Sequence, residues 1–210
     1  MIQMSSSFVI DNLNKMYPNP MCELTFNKDY ELLLKVMLSA QTTDKRVNMI
    51  MDDVFMKYDT LDKLDSLSIE EIESLIKSIG MYKVKARNFK SIVSSLVKVG
   101  YVPNDREFLC SLSGVGRKTA NVVLSVIYHE NVIAVDTHVE RVSKRLGLVK
   151  EDSAPLEVER ELTKKFRSYD LVRLHEQLVL FGRYKCKSKS PICMDCPFIS
   201  MCSYYKKKKH

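Results

Sequence analysis

"LCSLSGVGRKTANVVL", residues 109–124, decides how this chain is read. Gly114 and Gly116 flank Val115, and Arg117 and Lys118 follow before apolar helical spacing resumes. Over residues 104–128 the pattern is helix, tight glycine turn, helix. Glycine permits positive φ and the close approach of another backbone. Such a turn aims amide N–H groups, backed by the next helix's N-terminus, at an anion such as phosphate. Two familiar phosphate loops are excluded. A Walker A loop needs G-x-x-x-x-G-K-[ST], but Arg117 separates Gly116 from Lys118; the dinucleotide fingerprint fails because Thr119 holds the third glycine's place. A plain αα-hairpin with glycine caps would use the same spacing. Lys118 is the odd residue, because a helix N-terminus repels a cation. It is either incidental or kept for its amine.

Outward from the hairpin, helical spacing recurs along the whole chain. Val47, Ile50, Met51, Val54, Phe55 and Tyr58 form one apolar stripe; Ile69, Ile72, Leu75, Ile76 and Ile79 form another. Ser68 with Glu71 is a capping box for the second, and Gly80 stands where a helix end is expected. "DYELLLKVMLSA" (29–40) is apolar nearly all round and is expected to be central. Four glycines are expected just past helices and two lie in the hairpin; the six prolines fall between helices or in a first turn. "VIAV" (132–135) is the one plausible strand. The expected class is all-α.

The 210 residues suffice for one large domain or two small lobes. Apolar content is 45%, which marks a globular chain, and no apolar run approaches the ~18 residues of a membrane span. The start lacks a charged n-region and a cleavage site, so a non-secreted protein is expected. It would be cytoplasmic or nucleoid-associated in a prokaryote, and nuclear in a eukaryote. Net charge is +7, but "KKKK" at 206–209 supplies four of it, so composition hints at a polyanionic partner without proving one.

Cys22 and Cys110 stand alone, whereas Cys186, Cys193, Cys196 and Cys202 crowd into one C-terminal segment as C-x6-C-x2-C-x5-C. Without a secretion signal this reads as a metal site rather than disulfides. Spacing alone leaves structural zinc and iron–sulfur both open. The adjoining "RYKCKSKS" is basic, and Lys187 and Lys189 could contact phosphates without reading sequence. In "VDTHVERV", Asp136 could cap a helix; Thr137 with Glu140 could cap it instead and free Asp136. His138 could pack at the helix start or contact phosphate.

"LSGVGRKTANVVL", then "VDTHV", then the four-cysteine pattern, in that order, resemble the endonuclease III family over about residues 22–205. These are bifunctional DNA glycosylases of the helix–hairpin–helix superfamily. One departure is visible: Ser113 stands where the family usually has proline. The resemblance implies two lobes. A six-helix lobe would span 22–133 with the hairpin at 104–128, and residues 1–21 with 134–210 would form the lobe of the cluster loop. It implies a [4Fe–4S] cluster on Cys186, Cys193, Cys196 and Cys202. The Lys118 amine would attack deoxyribose C1′, expel an oxidised pyrimidine and form a Schiff base, after which β-elimination cuts the strand. Asp136 would stabilise developing charge and help move protons, meeting Lys118 across the cleft between lobes. Gln41 would fill the gap opposite the orphaned base, and Met81 stands at the family's wedge position. The backbone of Gly114, Val115 and Gly116, with His138, Lys187 and Lys189, would hold duplex DNA. The implied partner is duplex DNA with damaged pyrimidines or abasic sites, met by a monomer, with no membrane involved. Two rivals are a monofunctional adenine-mismatch glycosylase, which would lack the hairpin lysine, and a non-catalytic metal-stabilised DNA-binding module.

Overall fold

The structure is a computed structural model that describes residues 4–208. Met1, Ile2 and Gln3 at the chain start, and Lys209 of the lysine run, lie outside the described residues. The described elements are helices: α1 (Ser6–Met16), α2 (Asp29–Leu38), α3 (Asp44–Lys57), α4 (Leu61–Asp65), α5 (Ile69–Leu75), α6 (Tyr82–Val99), α7 (Arg106–Ser111), α8 (Arg117–Ile127), α9 (Thr137–Leu146), α10 (Pro155–Lys165), α11 (Leu171–Tyr184) and α12 (Ser203–Lys208). Among the described residues no helix is long and apolar enough to cross a membrane. They form two compact units, Cys22–Tyr128 and the described residues on either side of it.

In Cys22–Tyr128, α2 is central, with every residue from Glu31 to Leu38 buried. The amphipathic α3 adds Val47, Met51, Val54 and Phe55 from one stripe. Hydroxyl caps set the helix starts. Thr43 Oγ1 accepts from Arg46 N at 3.4 Å, Thr60 Oγ1 from Lys63 N at 3.2 Å, and Ser68 Oγ from Glu71 N at 3.1 Å. Each satisfies an amide that the first turn leaves without a helical partner.

This unit differs from the sequence expectation in two ways. It holds seven helices rather than six, because Thr60 opens the one-turn α4 before Ser68 opens α5. The α5 helix also ends at Leu75, and Ile76 and Ile79 are buried from the turns beyond it. Gly80 is not left-handed; Met81 is, at φ 60.

In the other unit, Leu13 of α1, Val142 and Leu146 of α9, and Leu174, Leu178 and Phe181 of α11 are buried together with Phe198. Phe181 and Phe198 meet edge-on, with ring centroids 5.4 Å apart. The one plausible strand, 132–135, does not form, in keeping with the all-α class. This segment is an irregular connector: Ile133 lies in the core, and Ala134 O bonds the ring of the buried His175 at 2.8 Å. The C-terminal stretch of this unit accordingly begins at His129 and not at residue 134. Gly182 also departs from expectation, because it lies inside α11 rather than beyond its end. A Cβ there would sit 2.9 Å from His138 Cβ, so only glycine lets α9 approach α11 this closely.

Candidate active site and nucleic-acid interface

The hairpin is α7, a turn, and α8. Asp105 caps α7, its Oδ1 accepting from Glu107 N at 2.8 Å and Phe108 N at 3.1 Å. Leu112 and Val115 are buried and root the turn. Gly114 is left-handed at φ 77, and a Cβ there would run into the Asn88 side chain of α6. From the same helix, Ser91 Oγ lies 3.0 Å from Ser113 Oγ. Two positions of α6 therefore brace the turn, and one of them is the hydroxyl pair at the serine that departs from the family pattern.

Gly116 opens α8 in an extended conformation that any residue adopts, at φ −94 and ψ 177. Its contribution is the side chain it lacks: the N-cap itself offers no oxygen to the first turn of α8, and a Cβ would stand in open space. Gly116, Arg117 and Lys118 are exposed, so a phosphate oxygen could take the cap's place at the first amides. Val115 does not share in this as expected. Its side chain is buried, and its N–H donates to Leu112 O at 3.1 Å to close the turn. Lys118 is the second residue of α8 and is exposed.

Asp136 is the N-cap of α9, in extended backbone. Its Oδ1 accepts from His138 N at 2.9 Å and Val139 N at 2.7 Å. Thr137 does not take over the cap; it is the first helical residue. Both amides share Oδ1, so capping occupies one of the two carboxylate oxygens. His138 is half-buried against Gly182, and its Nδ1 accepts from Arg141 Nη2 at 3.1 Å. Burial holds the His138 ring below the ordinary imidazole range; Asp136 opposes this, and Arg141 and Arg183 add to it.

Gln41 and Met81 share a rare property. Both are non-glycine residues in the left-handed region, at φ 58 and φ 60, and both side chains are exposed, Met81 by 59%. Long side chains avoid this backbone, and where it persists at a surface it aims a side chain outward at a cost of about 1–3 kcal/mol.

The C-terminal cysteines lie in a loop fastened to α9. Arg141 Nε donates to Cys186 O at 3.2 Å. One turn on, Arg145 donates to Lys187 O at 2.7 Å and Ser188 O at 3.0 Å, and its guanidinium lies 4.3 Å from the Tyr204 ring centroid. These arginines went unnoticed in the sequence, although their spacing of four places both on one face of α9. They hold up the segment that exposes Lys187 and Lys189. Burial pushes the Cys196 and Cys202 thiols up. Cys186 adds to this at both, Cys202 at Cys196, and Cys193 at Cys202. Four cysteine sulfurs in one segment are a donor set that, once deprotonated, suits an iron–sulfur centre. Among the described residues, no three His, Cys, Asp or Glu side chains are gathered as for one metal ion.

Comparison with known proteins gives a consistent answer. Residues 34–168 match the model of the HhH-GPD superfamily base excision DNA repair proteins. Endonuclease III of Bacillus subtilis (strain 168) is 45% identical over 197 residues, covering 93% of this chain and 90% of that protein. Endonuclease III of Rickettsia conorii is 43% identical over 199 residues, with 94% of each covered. Among solved structures, a trapped endonuclease III–DNA covalent intermediate superposes with a TM-score of 0.93 at 45% identity, covering 97% of both chains. A thermostable thymine-DNA glycosylase, 22% identical with a TM-score of 0.86 over 96% of both chains, shares the fold.

Proposed function

We infer the function from family: the chain belongs to the HhH-GPD superfamily of base excision DNA repair proteins and, within it, to the endonuclease III family. It is a bifunctional DNA glycosylase and abasic-site lyase. The reading we propose is that it removes oxidised pyrimidines from duplex DNA as a monomer and nicks the resulting abasic site. The observation that carries this is Lys118, exposed on the first turn of α8 directly behind an uncapped glycine turn.

A phosphate seated on the amides of that turn, at Gly114 and Gly116, would fix the DNA strand beside Lys118. The Lys118 Nζ then attacks C1′ of the damaged nucleotide. The C1′–base bond breaks and the base leaves with the bonding electrons and a proton. Ring opening gives a Schiff base between Nζ and C1′. Loss of a C2′ proton then expels the 3′ phosphate by β-elimination, and water hydrolyses the Schiff base to free Lys118 and leave the unsaturated aldehyde on the cut strand. Asp136 stabilises the positive charge that develops on the sugar and helps move protons in these steps. Gln41 and Met81 enter the stack to replace the extruded base. Lys187 and Lys189 contact phosphates, and His138 braces the start of α9 next to Asp136.

A duplex carrying one oxidised pyrimidine tests the reading. Released base is expected together with a strand ending in a 3′ unsaturated aldehyde. Base release that leaves an intact, alkali-labile strand would identify a monofunctional glycosylase instead.

The endonuclease III family carries a [4Fe–4S] cluster, and we assign its ligands here to Cys186, Cys193, Cys196 and Cys202. Held by these four cysteines, a cluster would tie the C-terminal loop together and so support Lys187 and Lys189. Purified protein should be yellow-brown with about four iron atoms per chain. Cys22→Ser and Cys110→Ser should keep that colour; loss of it in either would mean the ligand set is wrong.

A further inference from the structure

Lys85 lies on the apolar stripe of α6 with Phe89, Ile92 and Leu96 and is only 5% exposed. Its Nζ donates to Leu38 O at 2.8 Å, Ala40 O at 2.6 Å and Thr42 Oγ1 at 3.4 Å. An ammonium has three donors, and these bonds use all of them. Every acceptor is neutral, and every one belongs to the end of α2 or to the turn that carries Gln41. Burial pulls the Lys85 ammonium below the ordinary lysine range, the mark of a cation kept where it is costly. A methionine would cover the same stripe without that cost.

Helix ends leave carbonyls without partners, and a lysine can satisfy them. Here the same bonds clamp both sides of Gln41, the residue held at φ 58. The backbone of Lys85 meanwhile donates to Met81 O at 3.1 Å, at the left-handed start of α6. One residue thus grips Gln41's turn through its side chain and Met81 through its backbone.

We propose that Lys85 is a positioning residue that holds Gln41 and Met81 in register, so that the two enter an opened duplex as one preformed unit. This rests on the reading of Gln41 and Met81 as gap-fillers. Lys85 touches no DNA and acts through the pair. Its role belongs to base extrusion and not to the lysine chemistry that follows.

Lys85→Met keeps chain length and removes the donors. Single-turnover excision of a paired lesion should slow by about tenfold or more, as when a positioning contact is lost. Cutting at a preformed abasic site, with no base to extrude, should change by no more than about twofold on the same argument. Adding Gln41→Ala should cost nothing further, because both changes remove one unit. The strong intraresidue HN–Hα cross-peak that marks positive φ at Gln41 should weaken in the Lys85→Met protein. Equal slowing on both substrates, additive losses with Gln41→Ala, or an undiminished cross-peak would each overturn the proposal. The two readings fail differently. If Gln41→Ala alone excises a paired lesion at the normal rate, the gap-filling reading falls and takes this inference with it. If Gln41→Ala is slow but Lys85→Met is normal, only the role of Lys85 falls. Lys85→Arg carries the same comparison should Lys85→Met not fold. Its larger planar fork cannot meet all three acceptors, so a smaller preferential loss on the paired lesion is expected, and no preference overturns the proposal.

Discussion

Lys118→Gln should abolish both activities while leaving the protein folded and able to hold DNA. Glutamine keeps a long polar side chain at an exposed position of α8, so nothing in the packing is disturbed. What it lacks is an amine with a lone pair. Base release and strand cutting share the one nucleophile in the proposed sequence, so both should fall together, by about 10⁴-fold or more, as when a covalent catalyst is removed from other enzymes. Binding to a lesion duplex, measured by fluorescence anisotropy, should stay within a few-fold, because the amides at Gly114 and Gly116 and the lysines of the cysteine loop are untouched. Glutamine protein that still releases base at an appreciable rate would mean that water, not Lys118, attacks the sugar.

Asp136→Asn should separate two jobs that the wild-type carboxylate does at once. As the N-cap of α9 it accepts two amides through Oδ1. Asparagine supplies an equivalent oxygen and caps about as well as aspartate. The only structural loss is the negative charge at a helix N-terminus, about 0.3–1 kcal/mol. Melting should therefore shift little. Turnover should instead fall by about 10²–10⁴-fold, the usual span for losing a general acid–base group. Slow formation of the Schiff base can survive, since Lys118 remains. Asp136→Ala should lose turnover and also about 0.5–2 kcal/mol of stability, because the cap goes with the charge. An asparagine protein with full turnover would reduce Asp136 to a cap.

Much of this was legible from residue patterns, and the failures share a cause. The hairpin was readable because the glycine turn and the helical spacing on either side agree. The cap at Ser68 is local and follows from a few neighbouring residues. What escaped depends on contacts between distant segments. Gly182 has the look of a helix stop but is needed by His138, forty-four positions earlier in the chain. Ile133 sits in a strand-like run, yet its burial in a helical core makes it part of the second unit. Lys85 reads as one more surface lysine until its place on the stripe of Phe89, Ile92 and Leu96 is noticed; a lysine on an apolar face was the signal available. Gln41 and Met81 could be placed by resemblance, but their left-handed backbones could not, because glycine is the usual marker for positive φ and neither is glycine. At Met81 a true glycine, Gly80, stood next door and drew the reading one residue too early.

Borohydride trapping tests the central claim most directly. Wild-type protein is mixed with a duplex containing one abasic site in the presence of sodium borohydride, and the covalent adduct is digested and sequenced by mass spectrometry. The account predicts a stable protein–DNA adduct whose modified residue is Lys118. No adduct, or an adduct on a different amine at the normal rate, would contradict it.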